Sequence, residues 1–577
     1  MNRKIWKALG IAVCMLALAA PRAMAETHRV GSEKQFKDAV EAINKPGDAK
    51  NEIILTQDIT LGGDTTEYTL YTLSRGETTI KGGGNKITIS NAGITVAKKG
   101  TVLNLGEEGY DGTLTIDGKT SGGFVSVLEG ATANMYEHVT LQNWTSAGNA
   151  CVVIKGSKSV TGSKPVFNMH GGVIEKCSRA VMADSGATFN MSGGEIRNCV
   201  SMNDGGGLYA DNSTINITGG TISGCEGRWG GGLYATNSSE ITISGSTISE
   251  CKASLGAGGG LYATNGSIIN IDRGTISGCE AGAGGGLYAK NSSAITIKGG
   301  TISECSTTLD SGKGGGLYAE NSTITISGGT IENNEAAHGG GVALTDSTVT
   351  DEQPIRNWMV VGNKAYKTGG GIWLGEKVKW DISDRTKQIY NNQAIEHGAD
   401  ICLERDTSAI TLPIAANMGA KYHDSGINID NWYNDNPRYT PSENGQVVEA
   451  NKLLNGGLSL VASYKASPVH IEIDANGGVG GSGSQTVQKG TTVTLEAPTK
   501  EGHLFTGWKD EKGNSYPAGE DGKVNITVTG DMTLTAEWKK LPSAENLPKT
   551  GDESPVLLWG AALAVSAAAC FMLRRRK

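Results

Sequence analysis

The chain has 577 residues, of which 84 are glycine, about twice the ~7% of an average protein. It has no Gly-X-Y period, and its isoleucines and valines alternate with polar residues, which excludes a collagen-like or a disordered chain. Residues 26–551 carry 43 basic and 57 acidic side chains, and this net charge of −14 disfavours nucleic acid and anionic membranes as partners.

The first 25 residues have the pattern of a secretory signal peptide. A basic start precedes an apolar run from Ile11 to Ala20, and Ala23-Met24-Ala25 provides an A-x-A cleavage pattern. We therefore expect signal peptidase to recognise Ala23 and Ala25. The mature chain should start near Glu26, outside the cytoplasm.

Residues 26–51 are interpreted as an N-terminal cap that contains one helix. The stretch SEKQ that begins at Ser32 has the capping-box pattern. Four apolar residues then follow at helical spacing: Phe36, Ala39, Val40 and Ile43. We expect a helix over residues 32–44 that covers the open end of a repeat fold.

A repeat of 25 to 30 residues fills the centre of the chain. In the copy GGGLYADNSTINITGGTISGC, residues 205–225, three short segments alternate apolar and polar residues, and Asn212 and Gly219-Gly220 mark the turns. Each segment can pair with its counterpart one repeat later, about 4.8 Å away. Residues 52–415 are therefore predicted to form a solenoid of parallel strands.

Equivalent positions of the repeat should stack into columns along the solenoid. An inward series of Ile and Val is followed three residues later by a column that we expect to begin at Asn143. Its further members are Cys177, Cys199, Cys225, Cys251, Cys279, Cys305, Asn334, Asn363 and Asn392. A second column, at the next turn, consists of Asn212, Asn237, Asn265, Asn291, Asn321 and Asp346. Asn suits such a turn because it tolerates left-handed backbone angles and can hydrogen-bond to a stacked neighbour.

The cysteine column is interpreted as a ladder of inert, buried thiols. Stacked Cα atoms about 4.8 Å apart fall within disulfide range, but parallel in-register side chains point the wrong way for an unstrained bridge. Paired disulfides are the alternative. No histidine recurs beside the column and no C-x-x-C is present, so we expect neither a metal nor a cofactor.

These repeats resemble the right-handed parallel β-helix of the pectate lyase superfamily, and in particular its GGG-[IL]-Y surface-protein branch. The resemblance covers roughly residues 52–415 and implies an all-β fold, a right-handed parallel β-helix. It says less about function, because that superfamily includes lyases and hydrolases.

An aromatic stripe follows the GGG motif: Tyr209, Tyr234, Tyr262, Tyr288, Tyr318 and Trp373. Leu208 and Ala210 are the better inward residues, so we expect the rings to face outward on one side. A flat aromatic stripe can stack against sugar rings, which makes these residues glycan-binding candidates. The alternative is that neighbouring rings stack on each other and support the sheet.

The turns before the GGG motif are the second candidate for binding. Their lengths vary, as EGRW, KASLGA, EAGA, STTLDSGK and EAAH, and variable turns on a fixed scaffold are typical of binding surfaces. Cleavage of a polysaccharide would instead need two carboxylates at a defined separation, or a base and commonly calcium. Only Asp211 and Glu320 share the position before the turn Asn, several repeats apart, so we assign no catalytic residue.

Residues 416–468 lose the period and are interpreted as a distal cap and linker. Residues 469–540 form a different unit, with DANGG, then P-T-x-x-G-x-x-F-x-G-W ending at Trp508, then A-E-W ending at Trp538. This order resembles the internalin B-repeat family, also called the Listeria–Bacteroides repeat, and implies a small β-grasp-like domain. We interpret this domain as a spacer, with a binding role as the alternative.

Residues 541–577 combine the pentapeptide LPKTG, an apolar segment at 555–573 and four basic residues. At ~1.5 Å per residue, the apolar segment is just long enough to cross a ~30 Å hydrocarbon core. This arrangement resembles the sorting signal of sortase-anchored surface proteins of Gram-positive bacteria. The resemblance implies recognition of Leu547 and Pro548, cleavage between Thr550 and Gly551, and attachment of Thr550 to peptidoglycan after a transient membrane span.

The sequence therefore predicts a secreted protein whose partners are sortase and peptidoglycan and whose β-helix is displayed at the cell wall. The expected function is adhesion to glycans or to other polymers of a host or neighbouring cell. A carbohydrate-active enzyme displayed on the wall and a structural stalk without a ligand are the alternatives.

Overall fold

The computed structural model describes residues 26–46, 50–63, 67–118, 125–145, 148, 150–156, 164–350, 358–382, 387–404, 408–411, 427–434, 453–455, 459–466, 468–488, 492–519, 521–528 and 530–541. The predicted signal residues Ala23 and Ala25 lie outside these ranges, as do the predicted sorting residues Leu547, Pro548, Thr550 and Gly551 and the apolar segment 555–573. Within the described ranges, no helix has the length and apolar character needed to span a bilayer.

The described chain forms two compact units, one ending at Lys465 and the other containing the strands from Pro468 to Lys540. The first unit is a parallel solenoid of about 13 turns. Each turn adds one strand to each of three surfaces, and each strand pairs in register with its counterpart one turn later. We call these surfaces face A, face B and face C; the copy at 205–225 contributes Thr214–Ile217, Thr221–Ser223 and Leu208–Asp211 to them, respectively.

Faces A and B form one 27-stranded sheet, because two long strands run through both, and face C is a 15-stranded sheet. Face A consists of Glu26–Val30, Lys50–Leu55, Glu77–Lys81, Val102–Leu105, Thr132–Met135, Val166–Met169, Thr188–Met191, Thr214–Ile217, Ala294–Ile297, Thr323–Ile326, Thr348–Thr350, Lys379–Asp381, Ala409–Thr411 and Leu453–Asn455. Face B consists of Ile59–Leu61, Lys86–Ile89, Leu114–Gly118, Val139–Gln142, Val173–Glu175, Glu195–Arg197, Thr221–Ser223, Thr301–Ser303, Gly329–Glu332, Trp358–Val361 and Lys387–Tyr390. The long strands are Glu240–Ser249 and Ile268–Ser277.

Face C consists of Thr69–Leu73, Ala92–Val96, Val125–Leu128, Val152–Lys155, Val181–Asp184, Leu208–Asp211, Leu233–Thr236, Leu261–Ala263, Leu287–Lys290, Leu317–Glu320, Val342–Thr345, Ile372–Leu374, Ile401–Leu403, Ser459–Ala466 and Ile427–Asn434. A 7-stranded sheet lies in the turns between faces B and C. It consists of Glu226–Gly227, Lys252–Ala253, Glu280–Ala281, Ser306–Thr307, Glu335–His338, Lys364–Thr368 and Gln393–Ala394.

Each end of the parallel stack is flanked by a different element in the described residues. The single helix of the described residues, α1, spans Glu33–Ile43, and the Ser32 hydroxyl accepts a hydrogen bond from Gln35 N at 3.3 Å. Its apolar side chains are buried, so the predicted capping helix is confirmed. Parallel pairing nevertheless starts earlier than residue 52, because Glu26–Val30 already pairs with Lys50–Leu55. At the other end, antiparallel strands take over after Thr411.

The interior is a set of stacked apolar columns. The inward series three residues before the cysteine column is almost fully buried, from Ile174 at 0% to Ile389 at 1% exposed. The six thiols of the column are also buried, and none of them forms a disulfide. Hydrogen bonds between neighbouring thiols raise the pKa of Cys251 and lower those of Cys225 and Cys279. The six thiols are at most 2% exposed, so the column is shielded from solvent and packs as a row of small apolar groups.

Asparagine replaces cysteine in the last turns of the same column and forms a buried amide ladder. Asn334 Nδ2 donates to Asn363 Oδ1 at 2.9 Å, and Asn363 Nδ2 donates to Asn392 Oδ1 at 2.9 Å. The ladder ends on Asp400, 1% exposed, whose Oδ1 accepts from Asn392 Nδ2 at 2.8 Å. The switch from thiol to amide therefore keeps each buried polar group paired.

Asn143 does not begin this column, contrary to the expectation. Strand pairing sets Gln142 opposite Glu175, so Asn143 lies opposite Lys176 and Trp144 takes the cysteine position. Trp144 is 1% exposed. The residue before a cysteine of the column has a left-handed backbone, as Lys176 and Asn198 do, and Asn143 shares this conformation with a φ of 62°. Asn143 therefore occupies the position before the column, one residue earlier than predicted.

Two further asparagine columns lie outside the core. All members of the predicted turn column are left-handed, from φ 46° at Asn212 to 53° at Asn291. A ladder that the sequence analysis missed runs over the outside of face A, with each Nδ2 donating to the previous Oδ1 at 2.7–2.8 Å. It consists of Asn104, Asn134, Asn168, Asn190 and Asn216.

The second unit is built from strands in its described residues. A five-stranded sheet has the order Gly483–Gln488, Pro468–Asp474, Met532–Lys540, His503–Asp510 and Ser515–Pro517, and Thr492–Leu495 pairs separately with Val524–Thr527. Trp508 is fully buried and contacts Phe505, whose ring also meets Trp538 at 5.7 Å. The aromatic positions of the repeat motif thus form the core of this small domain.

The asparagine ladder should be essential for stability at the distal end. Asn363→Ala removes the acceptor of the buried Asn334 N–H, so the free energy of unfolding should fall by about 2 kcal/mol or more. Urea unfolding followed by circular dichroism measures this loss. Asn270→Ala, on the outside of face A, is the control and should change stability by less than about 0.5 kcal/mol. Equal effects of the two changes would contradict a stabilising ladder.

Candidate functional site

The GGG motif shapes the tight corner that leads into face C. In one copy, Gly230 adopts a φ of +61°, which favours glycine. A Cβ on Gly231 would lie 2.3 Å from the Lys252 carbonyl oxygen, and one on Gly232 would lie 3.2 Å from Cys251 Sγ. The last two glycines therefore make room for the next turn of the solenoid. This close approach sets the tyrosine that follows at the same place on every turn.

The tyrosines stack on each other along the outside of face C. Ring centroids of consecutive residues are 5.1–5.5 Å apart, from Tyr209 to Tyr318. The Arg179 guanidinium closes one end, 4.7 Å from the Tyr209 ring centre. Ala343 interrupts the stack before Trp373. We call this set of rings the tyrosine column.

The expectation of an exposed stripe is wrong for most of the column. Tyr262, Tyr288 and Tyr318 are 3%, 5% and 7% exposed, and Trp373 is 5% exposed. Residues of the turns fold over the rings: Trp229 meets Tyr262 edge-on at 5.3 Å, and Lys313 Nζ lies 4.4 Å from the Trp373 ring centre.

Only the first two rings, Tyr209 and Tyr234, remain partly exposed. Their faces are nevertheless occupied by neighbours in the column. Because a sugar needs a free ring face for stacking, the geometry favours the supporting role that the sequence left open.

The phenol groups of the column stay neutral near physiological pH. Burial raises the pKa of Tyr234 to about 12 and that of Tyr318 to about 12. Burial also raises the pKa of Tyr288, whose hydroxyl donates to Glu320 Oε2 at 2.7 Å. These hydroxyls can therefore serve as hydrogen-bond donors, and not as general bases.

A pair of carboxylates lies beside the first ring, and the sequence analysis missed it. Asp184 and Asp211 are directly paired on neighbouring strands of face C, so their Cα atoms lie about 4.8 Å apart. The Ser185 hydroxyl donates to Asp184 Oδ1 and Asn237 Nδ2 donates to Asp211 Oδ1, each at 2.8 Å. Asp184 was not recognised as the counterpart of Asp211 because Ser185, and not an asparagine, follows it. Ser185 has a left-handed φ of 58°, as the turn asparagines do. Burial raises the pKa of Tyr209, the charges of Asp211, Asp204 and Asp184 raise it further, and the Arg179 guanidinium lowers it.

The variable turns carry the most exposed apolar side chains of the solenoid. Six of them project from turns between faces B and C. Two, Val200 and Met202, lie on the turn at 200–207; we call the other four the turn ridge: Leu255 at 81%, Leu309 at 58%, Tyr366 at 45% and Ile395 at 69% exposed. The short strands of these turns pair with each other, with one bulge between Glu335–His338 and Lys364–Thr368. The ridge therefore follows the solenoid axis for about 24 Å at about 4.8 Å per turn.

Charged groups flank the turn ridge. Lys252 Nζ lies 3.1 Å from Glu280 Oε2, and Lys364 Nζ lies 4.9 Å from the Tyr366 ring centre. Exposed apolar surface with a polar rim is typical of an interaction site. Within the described ranges, no group of three or more His, Cys, Asp and Glu side chains is arranged to hold a metal ion.

Comparison with known families agrees with this division into two units. A family model described as the right handed beta helix region matches residues 185–394, and one described as the divergent InlB B-repeat domain matches residues 467–542. No curated protein matches the chain. The predicted right-handed β-helix and the internalin-type repeat domain are therefore confirmed. Domains of these two kinds fit a surface protein or a protein that interacts with carbohydrates.

The buried column predicts a structural role for its central ring. Tyr262→Ala removes a ring held between Tyr234, Tyr288 and Trp229, so the free energy of unfolding should fall by about 3 kcal/mol. Tyr366→Ala, at an exposed tyrosine of the turn ridge, is the matched control and should cost less than about 1 kcal/mol. Thermal and urea unfolding of both variants measure the difference. A Tyr262→Ala variant as stable as the control would show that the rings are not part of the packing.

Proposed function

We propose that this chain is a secreted, cell-wall-anchored adhesin that binds glycan-bearing surface polymers through the turns of its β-helix. The observation that carries the proposal is the turn ridge, where large apolar side chains are exposed on turns that vary in length. A soluble protein gains nothing in its own packing from such side chains, and their alignment along the axis suits an extended polymer better than a small molecule.

The display of the solenoid rests on the two ends of the sequence. The signal residues Ala23 and Ala25 imply export, and the LPKTG motif implies that sortase joins Thr550 to peptidoglycan. The internalin-type repeat domain lies between the solenoid and this motif, so it serves as the spacer that holds the solenoid away from the wall. The acidic mature chain fits these partners and disfavours nucleic acid.

Binding is tested with residues 26–551, the chain without its signal peptide and without the apolar segment and basic tail that follow LPKTG. We expect surface plasmon resonance to detect its retention on immobilised mucin or on one of a panel of neutral and acidic polysaccharides. Leu255→Ser combined with Leu309→Ser should weaken retention about tenfold, because two apolar contacts are lost. Ile268→Ser is the matched control, since Ile268 is 40% exposed but lies on face A.

The outcomes separate the possible roles of the solenoid. No retention on any polymer would contradict the adhesin and leave a structural stalk. If the ridge variant and the Ile268→Ser control are retained equally well, binding lies away from the turn ridge.

Asp184 and Asp211 favour one second candidate, a carbohydrate-active enzyme. Their Cα atoms, on neighbouring strands, lie about 4.8 Å apart, a spacing from which the two carboxyl groups can reach the separation of about 5 Å in retaining glycosidases. Burial raises the pKa of the nearby Asp204, as a general acid requires. In that case the chain should shorten polysaccharides. Size-exclusion chromatography of polymers incubated with the chain, with and without calcium, measures this shortening. Asp211→Asn should then abolish the shortening, and Asp272→Asn, an exposed acid elsewhere, should not. Unshortened polymers would exclude this candidate for the polymers used.

A further inference from the structure

One turn of the solenoid is shorter than both of its neighbours. Only Ser178, Arg179 and Ala180 connect Cys177 to the face C strand Val181–Asp184. On the next turn, residues 200–207 connect Cys199 to Leu208–Asp211. Among the described residues, the series of short turn strands begins beyond this point, at Glu226–Gly227. The Cys177 carbonyl accepts a hydrogen bond from Val200 N at 2.8 Å, and Val200 also forms an isolated pairing with Glu226.

The short turn leaves a notch in the side of the solenoid. Its cavity of about 320 Å³ is open to solvent, and it falls in the ~300–1,000 Å³ range of ligand pockets. Cys177 and Ser178 form the floor, Val200 and Met202 one wall, and Thr145 the opposite wall. Arg179 turns away from the cavity, since its Nη2 donates to the Asp204 carbonyl at 2.6 Å.

The rim toward face B carries two polar side chains. Lys176 and Asn198 both have a left-handed backbone, with φ of 54° and 53°, and both line the cavity. Lys176 Nζ donates to Glu175 Oε1 at 3.3 Å, and Arg197 Nε donates to the other oxygen of Glu175 at 2.9 Å. The Lys176 ammonium has three N–H donors, so this contact with Glu175 leaves donors for another acceptor.

The two walls of the notch differ in chemistry. Val200 is 54% and Met202 is 86% exposed, an unusual degree for large apolar side chains beside a cavity. Apart from the floor residue Cys177, the rest of the lining is polar and comes from Thr145, Ser178, Asn198 and Lys176. A sugar ring has the matching arrangement, since one face presents C–H groups and its edge presents hydroxyls that both donate and accept hydrogen bonds.

We propose that this notch binds one pyranose unit of a glycan, with its C–H face against Val200 and Met202 and its hydroxyls toward Ser178, Asn198 and Lys176. This site deepens the adhesin proposed above and rests on it. It would select a single sugar unit at one end of the row of turns between faces B and C, while the turn ridge contacts the rest of the polymer.

The Met202 methyl group provides a local readout. In the chain 26–551 labelled with [¹³C-methyl]methionine, the Met202 resonance is assigned by its loss in Met202→Ala. Titration with N-acetylglucosamine, galactose and glucuronate, one at a time, should shift this resonance for at least one sugar in the millimolar range. Ser178→Trp, which fills the cavity, should abolish the shift.

Binding to polymer should follow the same residues. Met202→Ala should weaken retention on the immobilised glycan about fivefold to tenfold through the lost apolar contact. Ile268→Ala, at an exposed apolar side chain on face A, serves as the control for retention. Leu255→Ala should keep the sugar-induced Met202 shift, which separates the notch from the turn ridge.

The failures of the two proposals can be told apart. If the chain is retained on glycans but no sugar moves the Met202 resonance, the notch proposal is overturned and the adhesin stands. Equal Met202 shifts in the native chain and in Ser178→Trp would also overturn the notch. If the Met202 resonance moves but no polymer retains the chain, the notch stands and the adhesin does not. Circular dichroism of each variant verifies that the solenoid is intact.

Discussion

In-register parallel stacking is the constraint on which the rest of this structure depends. Every residue of the solenoid lies about 4.8 Å from its counterpart on the next turn, so a residue type is suitable only if it packs or bonds well with its own copy. Isoleucine does so in the core, cysteine as a small buried hydrophobe, and asparagine through its amide. The glycines obey the same rule, because a Cβ on Gly232 would meet Gly260 O at 2.7 Å and Cys251 Sγ at 3.2 Å.

The same constraint explains why the tyrosine column is structural. Rings repeated at this spacing stack on each other, and each ring thereby occupies the face that a sugar would need. Turns that fold back over the column, such as the one that carries Trp229, complete its burial. The aromatic stripe thus links the turns to face C, and the most exposed apolar side chains of the solenoid lie on the turns themselves.

Features that recur in every repeat could be predicted from the sequence, and the predictions failed where the repeat is broken. The inward isoleucines, the thiol column and its continuation at Asn334 follow directly from spacing. Asn143 misled the register because a tryptophan, Trp144, takes the place of cysteine in that turn.

Asp184 was missed for a similar reason, since its turn residue is Ser185 and not asparagine. The burial of Tyr262 could not be foreseen, because it depends on how the variable turns fold over the ring. The notch likewise results from a difference in length between neighbouring turns, which becomes a cavity only once the turns are stacked.

Beyond their short paired strands, the turns between faces B and C differ in length and escape the stacking constraint, and we therefore assign recognition to them. The most direct test is hydrogen–deuterium exchange of the chain 26–551 with and without soluble mucin. The account predicts added protection in the turns at 199–207, 252–257 and 306–313, with faces A and B unchanged. Protection confined to face A or to the repeat domain at 468–541 would contradict it.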